Sequence, residues 1–368
     1  MDSALALISE RVRDAAARGT ALRIVGGGTK AFHPASRARA PAEELDLRAL
    51  AGVLSYEPSE LVITVRAGTP LAEVEQLLAE QGQALAFEPP RFAAGGTVGG
   101  MVAAGLSGPA RANAGAVRDF VLGVEIVNGR GELLRYGGQV MKNVAGYDVS
   151  RLMAGSWGRL AVLTEVSLKV LPVAPTEATL RFEGTQAESL ARLHAWGGQP
   201  LPLNASCWVE EGGAGRLYVR LRGARAAVEA ACRRMGGELQ DAGLAAQDWQ
   251  ACRDQHLPWF ADRAPGMSLW RLSVPQTAPV LALPAGVAPP LVEWHGGQRW
   301  VWVEPGHGSA LQALAQSVGG HAELFRPAAG GVLEAAPPAR EPALQAIEQR
   351  LEAAFDPAGI FRAGAAGE

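Results

Sequence analysis

The sequence predicts an α+β protein of two domains with a C-terminal extension, on three observations. A strand, a turn and a helix follow one another between Leu61 and Gly82. Asn128-Gly129-Arg130-Gly131 separates two strand-like runs as a hairpin turn. From Glu177 the order of elements is strand, helix, strand, strand, helix, strand, the split βαββαβ unit of ferredoxin-like folds. With 368 residues the chain is long enough to bury two cores.

Taken in order, the first residues place Leu5, Ile8 and Val12 on one face of a helix, and Glu10, Arg11 and Asp14 interrupt the apolar run too early for an export signal. Leu22-Arg23-Ile24-Val25 is a short strand that delivers the loop Gly26-Gly27-Gly28-Thr29-Lys30. Leu61 to Arg66 is β-branched; after Gly68, Thr69 is expected to cap and Pro70 to open a helix that closes at Gly82. Phe120 to Val127 and Glu132 to Tyr136 form the hairpin, and Asp148 is expected to cap a short helix that Gly155 ends. Leu160 to Leu171 alternates as a long strand, and Pro172 and Pro175 behind it mark a boundary, giving domains 1–173 and 174–326. In the second, strands are expected near 178–182, 204–209 and 216–221 and from about 237, with helices near 186–196 and 224–235. Six of the nine tryptophans fall between Leu244 and Pro305, as packing anchors of which some line a pocket. Pro327 to Pro342 reads as a linker, and the helix Ala343 to Phe355 precedes Asp356-Pro357-Ala358-Gly359-Ile360-Phe361, so residues 327–368 are expected to pack back on the first domain.

Composition excludes several classes of function. Lys plus Arg number 34 against 37 Asp plus Glu, a net charge of −3 that offers no field for nucleic acid or anionic lipid. With 45 glycines, 24 prolines and 48% hydrophobic residues, the chain reads as globular and loop-rich. Cys207, Cys232 and Cys252 form no CxxC pair, which argues against a zinc or iron–sulfur centre held by this chain alone and for a reducing compartment. His194, His256, His295, His307 and His321 form no HxxH or HExxH spacing, so no metal site is expected. The apolar stretch Val280 to Val292 is proline-broken and too short to span a bilayer.

Three clusters carry chemistry. Gly26 to Ala31 formally fits GxGxxA after a strand, but Phe32-His33-Pro34 leaves no room for the helix that the dinucleotide fingerprint needs. What remains is either a tight surface turn or a nest of unhindered N–H groups around phosphate oxygens. The second cluster favours the nest. Phe87-Glu88-Pro89-Pro90 leads into Gly95-Gly96-Thr97-Val98-Gly99-Gly100-Met101-Val102-Ala103-Ala104-Gly105-Leu106-Ser107-Gly108, which has Gly or Ala where a core helix would carry large apolar residues. It reads as a second loop of exposed backbone donors, and two such loops suit a diphosphate bridging a long cofactor. The third cluster runs from Lys142-Asn143-Val144-Ala145-Gly146-Tyr147-Asp148 to Gly155-Ser156-Trp157-Gly158. Lys30, Lys142 and Lys169 are the only lysines in the chain, and two of them fall in these motifs.

In this order and spacing the clusters resemble the FAD-binding domain of the vanillyl-alcohol oxidase and para-cresol methylhydroxylase (PCMH) superfamily, covering nearly the first half of the chain. Within it, Gly137 to Val149 and the terminal Ala354-Phe355-Asp356-Pro357-Ala358-Gly359-Ile360-Phe361 resemble the smaller flavin-binding subunits of bacterial glycolate oxidases, over the whole chain. The resemblance implies a two-subdomain PCMH-type FAD-binding domain followed by a ferredoxin-like cap or substrate domain. It places FAD at Gly26, Gly27, Gly28, Thr29, Lys30, Pro90, Gly96, Thr97, Gly99, Gly100, Ala103, Ser107, Gly108, Gly158 and Val162, bound non-covalently because no histidine lies within 26–30. The chain departs from the family at Arg159-Leu160-Ala161, where relatives carry Thr-Leu-Gly, and at Arg362-Ala363-Gly364, where they carry Asn-Pro-Gly. The resemblance also implies oxidation of a 2-hydroxy acid such as glycolate or D-lactate, with hydride passing to FAD. The implied partners are a larger FAD-binding catalytic subunit and an iron–sulfur subunit, in the cytoplasm or at the inner membrane through those partners.

No catalytic residue is assigned at this stage. Arg271, Arg326 and His295 are candidates for holding a carboxylate or a proton, each with a structural ion pair or a surface position as the alternative, and His33 reads as a surface loop residue. Two other functional readings stay open. One is an accessory flavin-bearing subunit without turnover of its own. The other is a serine hydrolase, because Ala154-Gly155-Ser156-Trp157-Gly158 is one residue from GxSxG; that elbow needs a strand before the serine and a helix after it, and the sequence reads in reverse.

Overall fold

The computed structural model describes residues 3–36, 41–138, 148–329 and 341–361. The chain divides into two units, one made of Met1–Leu106, Ala116–Val173 and Arg340–Glu368, the other of Ser107–Gly115 and Ala174–Ala339.

In the first unit the helix Ser3–Arg18 buries Leu5, Ile8, Val12 and Ala15, the stripe set by its 3.6-residue period. The strand Ala21–Val25 pairs in parallel with Ala42–Asp46, and Leu22, Leu45, Ile360 and Phe361 share a small core with that helix. Asp356 docks the chain end there: its carboxylate accepts the N–H groups of Ile360 and Phe361 at 3.1 and 2.7 Å. An antiparallel five-stranded sheet follows the order Val53–Glu57, Val62–Arg66, Val162–Lys169, Val121–Val127, Leu133–Gly137. The Asn128 side chain makes the hairpin turn by accepting the N–H groups of Arg130 and Glu132, both at 3.0 Å.

Two local expectations need correction. Thr69 does not cap the helix Leu71–Glu80; its hydroxyl bonds to the Gly52 N–H and the Arg66 carbonyl, and Pro70 stands at the cap without a side-chain bond. The glycine-rich stretch after Gly96 is not all loop, because Val98–Ala104 is a helix capped by the Thr97 hydroxyl. Its small residues serve close packing: a Cβ on Gly99 would stand 2.8 Å from that of Ala67. The Lys142 to Tyr147 cluster and Arg362-Ala363-Gly364 lie outside the described residues, as does most of the linker.

The second unit is built on an eight-stranded sheet ordered Glu238–Leu239, Thr176–Glu183, Ala214–Gly223, Leu203–Glu211, Leu291–Glu293, Gln298–Val303, Ser268–Ser273, His321–Arg326. The first four strands stand in the 4-1-3-2 order of a βαββαβ unit, and the last four, read from the other edge, repeat it. The halves join where Cys207 and Trp208 pair with Glu293 and Val292. Helices Gln186–Gly197 and Arg225–Met235 cover Leu180, Trp208, Leu217 and Val219 on one face of the first half. In the second half residues 274–290 have no helix. The fully buried Arg299 holds that segment by donating to the carbonyls of Ala278 and Pro279 at 2.8 and 2.6 Å, and burial draws its guanidinium down to about 10.

Candidate cofactor site

A cleft of about 130 Å³ opens in the first unit where the two glycine-rich segments meet. Gly26 to Lys30 form one wall, Thr97, Gly99, Gly100 and Ala103 another, and Gly158 a third. The contact between the first two is backbone to backbone. A Cβ on Gly27 would stand 1.7 Å from the Gly95 carbonyl oxygen, and one on Gly26 would stand 2.3 Å from the Thr97 hydroxyl. Gly28 has φ +67°, a conformation that favours glycine.

The donors of the two segments are used differently. Among the described residues, none of the five backbone N–H groups from Gly26 to Lys30 has a hydrogen-bond partner. In the second segment the N–H groups of Val98, Gly99 and Gly100 are engaged by the Thr69 carbonyl, the Ala67 carbonyl and the Thr97 hydroxyl. Those bonds tie the helix Val98–Ala104 to the end of the strand Val62–Arg66. Among the described residues the N–H groups of Gly95, Gly96 and Thr97 have no hydrogen-bond partner, so the second segment spends the donors of its first helical turn on packing and keeps those of the loop before it, while the first segment presents all five.

Lys30 completes the first wall. Burial draws its ammonium down to about 8, and no carboxylate among the described residues offsets that burial. Its Nζ stands 6.0 Å from the centroid of the Phe92 ring. A desolvated cation beside unpartnered N–H groups is an environment short of an anion.

Of the other residues expected to hold the cofactor, Pro90, Gly96 and Val162 do not line the cleft. Val162 points into the core, fully buried, while its strand neighbours Ala161 and Leu163 reach the cleft wall, as alternation along the chain requires. Ser107 and Gly108 belong to the second unit. The wall also includes Trp157 of the third cluster and Ala67, which nothing in the sequence marked. Trp157 adopts φ +53°, and its ring stacks on His33 at 4.2 Å between centroids. His33 is thus buried, with Nδ1 accepting the Ala35 N–H at 3.1 Å, and is not a surface loop residue.

Ser156 cannot act as an elbow nucleophile. Its hydroxyl is buried and donates to the Met153 carbonyl at 2.9 Å, with the helix Val149–Met153 before it and the strand Val162–Lys169 after it. In the second unit Arg271 is paired across strands with Glu323, and Arg326 donates to the Gln255 side chain at 3.3 Å. His295 is buried, with φ +56°, and the Asn113 amide donates to its Nε2 at 2.6 Å, which leaves the ring proton on Nδ1. Burial draws the imidazole down to about 4. The three candidates are thus held in separate contacts.

The FAD binding domain family matches residues 5–137 of the chain. The chain is 42% identical over 357 residues to glycolate oxidase subunit GlcE of Escherichia coli K12, covering 96% of this chain and 95% of that protein. Glycolate oxidase subunit GlcD of Bacillus subtilis is 33% identical over 129 residues, which is 35% of this chain and 27% of that one. Among solved structures, alkyldihydroxyacetonephosphate synthase shares the fold, with a TM-score of 0.66 at 14% identity over 96% of this chain and 73% of that one. Fold, cleft and comparisons together define an FAD-linked oxidoreductase with an FAD-binding domain, and FAD is its cofactor. Within that class, the chain belongs to the glycolate oxidase subunit GlcE family. Among the described residues no helix is long and apolar enough to cross a membrane.

Proposed function

We propose that this chain is the FAD-binding subunit of a complex that oxidises 2-hydroxy acids, with glycolate as the leading substrate and D-lactate next. The observation that carries the cofactor site is the cleft wall from Gly26 to Lys30, with five unpartnered N–H groups and an ammonium that has lost much of its water. These groups fit a diphosphate: the N–H dipoles converge on the oxygens, and Lys30 supplies a full charge. Gly99, Gly100 and Ala103 keep the opposite wall low, and Gly158 keeps the third side open. The cleft is small beside a whole dinucleotide, so what it lodges is one segment of the cofactor. Bound there, FAD supplies the acceptor for the hydride of the substrate carbon.

The proposed partners are a larger FAD-binding subunit and an iron–sulfur subunit. The resemblance to GlcE over nearly its full length and to GlcD over 129 residues supports a larger flavin-binding partner beside this chain. The test is a visible spectrum of the purified chain with FAD, followed by anaerobic glycolate and then D-lactate. Bleaching by either acid is expected. A flavin spectrum that neither acid bleaches would assign turnover to the larger subunit and leave this chain as an accessory flavoprotein, and failure to take up FAD would overturn the site.

Gly27→Ala is expected to abolish FAD retention on gel filtration. The added methyl meets the Gly95 backbone, so one loop must shift, at a cost of roughly 1–3 kcal/mol in stability. An alanine variant that retains stoichiometric FAD would show that the two loops do not set the cradle.

A further inference from the structure

The second unit carries a cavity that the proposed function does not use. Both helices of its first βαββαβ unit cover one face of the sheet, so the alternate residues Thr179, Cys207, Val209 and Tyr218 point to the other face. The helix Ala242–Asp254 lies over that second face, and Trp249 Nε1 donates to the Thr179 hydroxyl at 2.9 Å. The covering is incomplete and leaves about 180 Å³ between helix and sheet. A cavity of about 150 Å³ suffices for a benzene ring in an engineered core.

The lining chemistry narrows the occupant. Val209, Ala245, Trp249 and Leu257 give apolar walls, and the thiols of Cys207 and Cys252 reach the cavity although each residue is only 4% exposed. The lining includes three carboxylates and no Lys or Arg. Asp241 accepts the N–H groups of Gly243 and Leu244, and Glu211 is paired with Arg216 at 2.6 Å. Arg220, outside the lining, stands 4.9 Å over the Trp249 ring and donates to Asn204. Asp248 alone of the three has no partner among the described residues. Partial burial and the Glu211 charge push its carboxyl above the usual range, burial does the same to Tyr218, and the hydrogen bond to the Cys207 thiol together with burial raises Cys252. Perturbed groups converging on one apolar cavity mark a binding site. An anion there would face an unneutralised carboxylate, and a neutral molecule would leave Asp248 partly desolvated and unpaired; a cation offsets both.

We propose that this cavity binds a small organic cation, a primary ammonium on an apolar body of about the size of benzylamine, with the ammonium at Asp248 and the body between Trp249 and Val209. The test uses the full FAD-loaded chain and benzylamine itself, with benzyl alcohol and benzoate as the neutral and anionic comparisons. Calorimetry is expected to show one benzylamine site and no benzoate binding. At about four-fifths occupancy, methyl methanethiosulfonate labelling of Cys207 and Cys252, followed by peptide mass mapping, is expected to slow about fivefold. Cys232, which lies outside the cavity, keeps its rate as an internal control. Asp248→Asn is expected to weaken benzylamine about tenfold and leave benzyl alcohol unchanged. Ala245→Trp fills the cavity and is expected to abolish binding; should that variant not fold, Asp248→Asn, on the exposed side of the helix, still decides. Equal binding of the three probes, unprotected thiols, or indifference to Asp248→Asn would each overturn the proposal.

Discussion

Replacing Lys30 by methionine is expected to stabilise the FAD-free protein by about 2–3 kcal/mol at pH 7 and to weaken FAD binding about 10- to 100-fold. Both effects come from one fact, that burial draws the ammonium from 10.5 to about 8 with no carboxylate among the described residues to offset it. At pH 7 the folded chain keeps the proton in an environment that disfavours it, and each unit of depression is about 1.4 kcal/mol. Methionine keeps the length of the side chain and removes that penalty. The same ammonium is the charge beside the unpartnered N–H groups, and a hydrogen bond to a charged group contributes about 1.5–3 kcal/mol, which sets the loss in affinity. The pH dependence has a definite sign. Binding an anion raises the Lys30 pKa, so above pH 8 binding must take up a proton, and the wild-type Kd is expected to rise by up to about tenfold per pH unit. Lys30→Met is expected to flatten that limb, and Lys30→Arg to keep most of the affinity. Urea unfolding of the FAD-free forms and flavin fluorescence titration from pH 7 to 9.5 measure both. A methionine variant that is less stable without FAD, or that binds FAD as tightly, would remove Lys30 from the site.

Local signals in this sequence carried as far as local chemistry reaches. The Asn128 turn, the alternation through Leu160 to Leu171 and the βαββαβ order each depend on neighbours in sequence, and each corresponds to a strand pair or sheet order in the structure. The glycine segment after Gly96 was legible as small but not as helical. Its small residues are dictated by Ala67, distant in sequence and met only in the fold. That the second segment spends part of its donors was likewise hidden, since Thr69 and Ala67 take up those of Val98 and Gly99. The repeated 4-1-3-2 order escaped because its second copy replaces a helix with a proline-bearing segment held by Arg299. Cys207 and Cys252, well separated in sequence, share a cavity only because the helix Ala242–Asp254 crosses the face opposite the two expected helices.

His295→Asn is expected to remove an acid-sensitive component of stability worth about 2 kcal/mol between pH 7 and pH 5. Burial lowers the folded imidazole from 6.5 to about 4, so the stability it confers is full above 6.5 and is lost as pH falls toward 4. In that window the unfolded chain binds a proton that the folded chain refuses, and the whole shift corresponds to about 3 kcal/mol. Geometry gives the same sign. Asn113 donates to Nε2 at 2.6 Å, so a proton added there would set two donors against each other. Asparagine suits the position because it tolerates the left-handed φ of +56°, whereas a β-branched residue would be strained there. Other carboxyls titrate in the same range, so the informative quantity is the difference between wild type and variant, taken from urea unfolding at pH 7, 6 and 5. That difference is expected to shrink by about 2 kcal/mol across the window. A constant difference would mean that His295 is protonated in the folded protein, and that the bond to Asn113 is made with the ring in another orientation.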